Sequence, residues 1–187
     1  MTETPIEKDS LAEKILATDT VYKGSFLELH KDSVKTPDGT LTTREYLHHP
    51  GAAMIIPMLE DGRVILERQY RHPLRKTFLE FPAGKLNPGE SPLNCAQREL
   101  TEETGYRAQE WKKLGRFNNA IGYSDEEITV FYASALQYVG QNLDVGEVLD
   151  VITMPWEEVV KKCLNGEITD VKTIVGAFWL DNYMKNK

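Results

Sequence analysis

The stretch from Gly84 to Tyr106, GKLNPGESPLNCAQRELTEETGY, decides how this chain is read. Ser91 followed by Pro92 forms an N-cap and N1 pair: the serine oxygen takes an orphan N–H of the first turn, and proline has no N–H to lose. Gly105 supplies the left-handed stop at the other end. The two signals predict a helix over Pro92 to Thr104. At about 100° per residue, Glu99, Glu102 and Glu103 share one arc of that helix, beside an apolar stripe of Leu93, Ala96 and Leu100.

Acids four residues apart repel by a few tenths of a kcal/mol in an isolated helix, and these sit near the negative end of the helix dipole. Such an arc asks for a cation. A hard divalent ion suits it, because Mg²⁺ takes carboxylate, phosphate and water oxygens, and Arg98 can pin one acid from the side. The helix by itself leaves another reading open, since charge runs are more often solvated faces. The preceding segment favours a site: Pro82, Ala83, Gly84, Pro88, Gly89 and Glu90 form a loop whose glycines let backbone approach a ligand.

Upstream, a polar lead-in of about fifteen residues is expected, with one helical turn around Leu11 to Leu16. Val21 to His30 and Leu41 to Leu47 flank Pro37, Asp38 and Gly39 and predict a hairpin. Ala52 to Met58 and Val64 to Gln69, joined across Glu60, Asp61 and Gly62, predict a second hairpin whose apolar runs suit strands covered on both faces. Downstream, strands are expected at Trp111 to Phe117, Ile128 to Leu136 and Leu149 to Met154, then two helical stretches. In the last, Val171 to Met184, the spacing of Val171, Ile174, Val175 and Phe178 predicts an amphipathic helix on a sheet. The outline is an α/β (α+β) fold, a mixed sheet sandwiched between helices.

The bulk numbers narrow the function. The 187 residues suit one domain plus an appendage, and 41 % hydrophobic content sustains a core. A formal charge of -7 argues against general nucleic-acid binding. Cys95 and Cys163 lie in helical patterns and read as buried reduced thiols rather than a disulfide or metal pair. No run has signal-peptide or membrane-span character, so the expected location is cytoplasmic.

The quoted stretch matches G-x5-E-x7-R-E-U-x-E-E-x-G-U, with U a bulky apolar residue, at every fixed position, Tyr106 being a mild departure at the last. The chain therefore resembles the Nudix hydrolases. LERQYRHPLRKTFLEFPAGKL before the box and GYSDEEITVFYA after it are similar to the ADP-ribose and nucleoside diphosphate sugar branch of that family. The resemblance spans about Thr20 to Trp179. It implies an α/β/α sandwich with a mixed sheet and an N-terminal β-hairpin extension. It divides the chain into residues 1–48, with dimerising strands, and residues 49–187, the hydrolase domain. The implied cofactor is Mg²⁺, with Mn²⁺ as a substitute, and the implied assembly is a homodimer.

Residue by residue, the resemblance assigns metal binding to Glu99, Glu102 and Glu103 and to the carbonyl of Ala83, with Glu90 and Arg98 as supports. It gives Arg71 a phosphate contact, Arg44 with Glu45 the nucleobase end, and Glu80 the sugar side. Tyr22 and Phe26 are candidates to stack on the base from the neighbouring subunit. Each of these outside the box has an ordinary alternative: a surface cation for Arg71, a cross-strand pair for Arg44 and Glu45, strand packing for the aromatics. Ala120 stands where the ADP-ribose branch carries a proline, which leaves the preferred sugar open. The resemblance places acids in a late loop, where Glu147 matches one and Val145 stands at a neighbouring acidic position; the general base is left open, with Glu147 the candidate from the 144–147 segment. GDP-mannose, dinucleotides and nucleoside triphosphates stay as alternative substrates, and a non-catalytic sugar-nucleotide sensor as a remote one.

Overall fold

A computed structural model describes residues 9–187; the expected polar lead-in falls partly on residues 1–8, outside the described residues. The described residues divide into two units, residues 9–49 with 120–126 and residues 50–119 with 127–187.

The first unit is an antiparallel sheet in the order β1 (Lys14–Lys23), β2 (Glu28–Lys35), β3 (Leu41–His48). The turn at Pro37 to Gly39 joins β2 to β3 as expected, with Gly39 at φ 91°. Two expectations are corrected. Strand β1 replaces the helical turn around Leu11 to Leu16, and the single strand read over Val21 to His30 is split by a turn between Lys23 and Glu28. The β-branched and aromatic residues Ile15, Thr18, Thr20, Val21 and Tyr22 in β1 favour extended backbone, and pairing with β2 settles the matter. The extension is thus three strands rather than a hairpin. The 120–126 segment is stitched to β3: Leu47 N–H donates to Tyr123 O at 2.8 Å, and Asp125 accepts from His49 N–H at 2.7 Å.

The second unit holds two sheets and three helices. One sheet is mixed, in the order β7 (Ala83–Lys85), β4 (Ala52–Pro57), β9 (Glu127–Tyr138), β8 (Tyr106–Asn118), with β4 and β9 parallel. The other is antiparallel, β10 (Leu149–Pro155), β5 (Arg63–Arg71), β6 (Lys76–Glu80). The second hairpin is therefore corrected: Glu60 to Gly62 do turn, but β4 and β5 join different sheets and share only the bridge Met58–Val64. Both faces of β4 are buried, as its apolar run predicted.

Successive β4 residues point to opposite layers. Ala53 and Ile55 pack with Cys95, Ala96 and Leu100 of helix α1 (Pro92–Thr104). Met54 and Ile56 pack with Val159 of α2 (Trp156–Leu164) and with Ala177 and Leu180 of α3 (Val171–Lys185). In α3 the buried residues are Thr173, Gly176, Ala177 and Leu180; of the expected face Ile174 does pack against the core, but Val171 and Phe178 are exposed, so the face is shifted. The reason is closeness: a Cβ on Gly176 would lie 2.5 Å from Met54 Cε, so the small-residue side seats the helix. Leu93 is likewise exposed, its place in the buried stripe taken by Cys95. Both cysteines are free thiols, Cys95 buried and Cys163 partly so.

Candidate active site

Helix α1 begins and ends where its caps predict. Ser91 Oγ accepts from Asn94 N–H at 3.2 Å, and Gly105 adopts φ 77°. Its last turn is tied down by the loop after β9, where Asn142 N–H donates to Glu102 O at 3.0 Å. Strand β7 meets the helix from the other side: Ala83 N–H donates to Glu103 Oε2 at 3.1 Å. A Cβ on Gly84 would fall 1.7 Å from Glu99 Oε1, so only glycine lets this carboxylate lie against the strand.

Arg98 is the cation that the arc holds in this structure. Its Nη1 donates to Glu99 Oε1 at 2.6 Å and to Glu102 Oε2 at 3.1 Å, while Nε and Nη2 grip Glu90 at 3.0 and 2.9 Å. Hydrogen bonds to Glu90 foremost, then Glu99 and Glu102, push the guanidinium further above its ordinary value. Charge-assisted bonds of this kind are the strong ones.

Arg98 leaves acids over. Glu103 is 3 % exposed, which excludes the solvated-face reading. Burial, then the charges of Glu67, Glu99 and Glu147, hold its carboxyl well above the usual range. Burial likewise raises Glu99, against the pull of Arg98. Glu67 is 0 % exposed, neither of its oxygens has a hydrogen-bond partner, and burial pushes it up to about 8. Glu147, half-buried, accepts from Gln69 Nε2 at 3.2 Å.

Arg71 and Glu80 form a fork, Nε to Oε1 at 2.9 Å and Nη2 to Oε2 at 2.7 Å, and Lys172 joins Oε2. Burial pushes Glu80 up, yet Arg71 and Lys172 outweigh it and hold the carboxyl below its ordinary value.

Of the residues read from the sequence, Ala83 bonds to Glu103 and Arg98 bonds to Glu99 and Glu102, two hydrogen-bonded groups on one helix, and Glu147 stands within electrostatic reach of Glu99 and Glu103. Arg71 and Glu80 pair with each other. Arg44, Glu45, Tyr22 and Phe26 belong to the first unit. There Arg44 pairs with Glu13 at 2.5 Å and Glu45 with its cross-strand neighbour Lys31 at 3.4 Å, so the two are not partners of each other. Sequence reasoning missed Glu67, Gln69 and Lys172. The available signal was an acid closing the apolar run Val64 to Leu66.

Among the described residues no three or more Asp, Glu, His or Cys already stand at metal-binding separation. The donor set nevertheless fits a hard divalent cation: it is all oxygen, it exceeds the positive charge of Arg98, and Glu67 is a buried carboxylate without a partner. Buried charges call for pairing or a metal.

The site is thus an all-oxygen, acid-rich centre on a capped helix, suited to a divalent cation. The NUDIX domain family matches residues 47–174, and the nucleoside diphosphate sugar hydrolase N-terminal domain matches residues 13–47. This chain belongs to the Nudix hydrolase family. It is 37 % identical over 166 residues to an ADP-ribose pyrophosphatase of Bacillus subtilis (strain 168), covering 88 % of this chain and 90 % of that one. It is 35 % identical over 170 residues to a methanol dehydrogenase activator of Bacillus methanolicus, covering 90 % and 92 %. A crystal structure of an ADP compounds hydrolase shares the fold, with TM-score 0.85 at 24 % identity over 96 % of this chain and 98 % of that one. No helix among the described residues is long and apolar enough to cross a membrane.

Proposed function

We propose that the chain hydrolyses the diphosphate bond of nucleoside diphosphate sugars, ADP-ribose among them, in a reaction dependent on Mg²⁺ or Mn²⁺. The products are a nucleoside monophosphate and a sugar phosphate. The observation that carries this reading is the surplus of partly and fully buried carboxylates around α1, beyond what Arg98 balances. The two family matches and the similarity to a relative named for ADP-ribose support the substrate class.

When bound, the cation neutralises phosphate oxygens and lowers the pKa of a coordinated water. Glu99, Glu102, Glu103 and the Ala83 carbonyl would hold it. Arg98 keeps Glu99 and Glu102 in place and shares their charge. Glu147, oriented by Gln69, accepts the proton of the attacking water. Arg71, its Nε and Nη2 fixed by Glu80, turns its remaining nitrogen to a phosphate oxygen. Glu80 in this scheme sits on the sugar side and steadies Arg71.

Arg44, Glu45, Tyr22 and Phe26 are proposed to meet the nucleobase, in a homodimer built through the strands of residues 1–48, with residues 49–187 as the hydrolase domain. The N-terminal family match and the exposed Ile15, Leu16, Val21 and Leu41 of the first sheet support this.

Turnover of ADP-ribose, GDP-mannose, a diadenosine polyphosphate and a nucleoside triphosphate, with and without Mg²⁺, tests the proposal. Metal-dependent release of a nucleoside monophosphate from the sugar nucleotides is expected. Absence of turnover across the panel by folded protein would defeat it.

A further inference from the structure

Along β5, the two-residue alternation puts Ile65, Glu67, Gln69 and Arg71 on one face. Glu67 is the anomaly of that face, fully buried with both oxygens unpartnered. Its register partner on β6 is Glu80, but both cations nearby, Arg71 and Lys172, are already engaged by Glu80. Its register partner on β10 is Val151, which offers no side-chain donor. Gln69 adds a third orphan acceptor: its Nε2 is committed to Glu147, and its buried Oε1 has no partner.

What remains around Glu67 is acceptor after acceptor. Glu103 carries Glu67 as its strongest charged neighbour and is itself buried. Glu147 lies within reach of both. A phosphate group would meet the like charges of Glu67, Glu103 and Glu147, while the nearby cations Arg71 and Lys172 are already held by Glu80. A water has two protons to share among three orphan atoms and two further carboxylates, so it leaves most of the charge uncompensated. A hard cation with oxygen coordination answers all of them.

We infer that Glu67 is a further carboxylate of the divalent-cation centre, holding the cation together with Glu103, with Gln69 and Glu147 on its flank. This rests on the cation-dependent reading above and extends its ligand set from the helix to β5. In the metal-free protein Glu67 is a burden on the fold, since a buried carboxylate without a partner is costly. Arg71 and Lys172 offset part of that cost from a distance, and the cation would supply the direct partner that the carboxylate lacks.

The test uses the full chain stripped with EDTA, with Mn²⁺ alone as the probe. Calorimetric titration gives the affinity, and melting with and without Mn²⁺ gives the stabilisation. For Glu67→Gln we expect Mn²⁺ affinity weaker by on the order of 10- to 100-fold, together with a metal-free melting temperature at or above that of the parent. Glu67→Leu, which removes the acceptors altogether, gives the same two results. Parental Mn²⁺ affinity in Glu67→Gln overturns the inference. So does a metal-free Glu67→Gln that melts lower or fails to fold, because the carboxylate would then have a structural partner. A parent protein that neither binds Mn²⁺ nor needs a cation for turnover defeats the functional reading itself.

Discussion

Replacing Gly84 by alanine separates the site from the fold. The new Cβ would stand 1.7 Å from Glu99 Oε1, 1.9 Å from Cδ and 2.5 Å from Cγ. Restoring a contact of about 3.5 Å moves the carboxylate by about 1.8 Å, away from Gly84. Glu99 has rotatable bonds with which to yield, and off-rotamer strain of that size costs about 1 kcal/mol. For a chain of this length that lowers the melting temperature by only about 2 to 4 °C. The chemistry is less forgiving, since a displacement of about 1 Å in a catalytic constellation can cost about 100-fold. We therefore expect kcat/KM for ADP-ribose to drop by about 100-fold or more, at saturating Mg²⁺, in a protein that melts almost normally. Steady-state hydrolysis and a thermal-shift scan on one preparation suffice. Turnover within a factor of about three of the parent would refute the argument, because the Glu99 carboxylate would then not need its seat against β7.

Glu103→Gln should lower turnover by on the order of 100-fold or more while the metal-free protein melts no lower than the parent, as kinetics and calorimetry will show. Arg71→Ala leaves buried Glu80 to Lys172 alone and should destabilise by about 1 to 3 kcal/mol in urea titration. In metal-free protein, stability should fall as pH rises from about 4.5 to about 8. Burial keeps the proton on Glu67 up to about 8 in the folded chain, against an ordinary 4.5. The folded state therefore binds more protons across that window and loses ground through it. A denaturation series over the window checks this, and Glu67→Gln should flatten the slope.

What the sequence made legible was what is local. Helix α1 is bounded by Ser91 and Gly105 within four residues of its own chain, so both ends were read correctly. The turn at Glu60 to Gly62 was also readable, since Gly62 adopts φ 83°. Which sheet each flanking strand joins was not, because β4 finds β9 and β7, and β5 finds β10 and β6, all beyond the turn. The seating face of α3 escaped hydropathy because Gly176 and Ala177 win by size rather than by apolar character. The box acids were readable from their spacing. Glu67 was hinted at only by its place at the end of the apolar run Val64 to Leu66, and its neighbour Arg68, equally charged, stands exposed beside Asp150. That distinction exists only once β5 lies between β6 and β10.

The parallel pairing of β4 with β9 carries a consequence for the order of assembly. It joins Ala52 through Pro57 to Ile128 through Ala133, and the whole Gly84–Tyr106 stretch lies inside the loop so closed. Pairings that span long stretches of chain form slowly. As the chain leaves the ribosome, α1 emerges before Phe131 and Ala133, which complete its seat, have been made. The centre therefore arises in one late closure rather than growing with the polypeptide. A chain cut short before Glu127 would carry every residue of the motif and have no site.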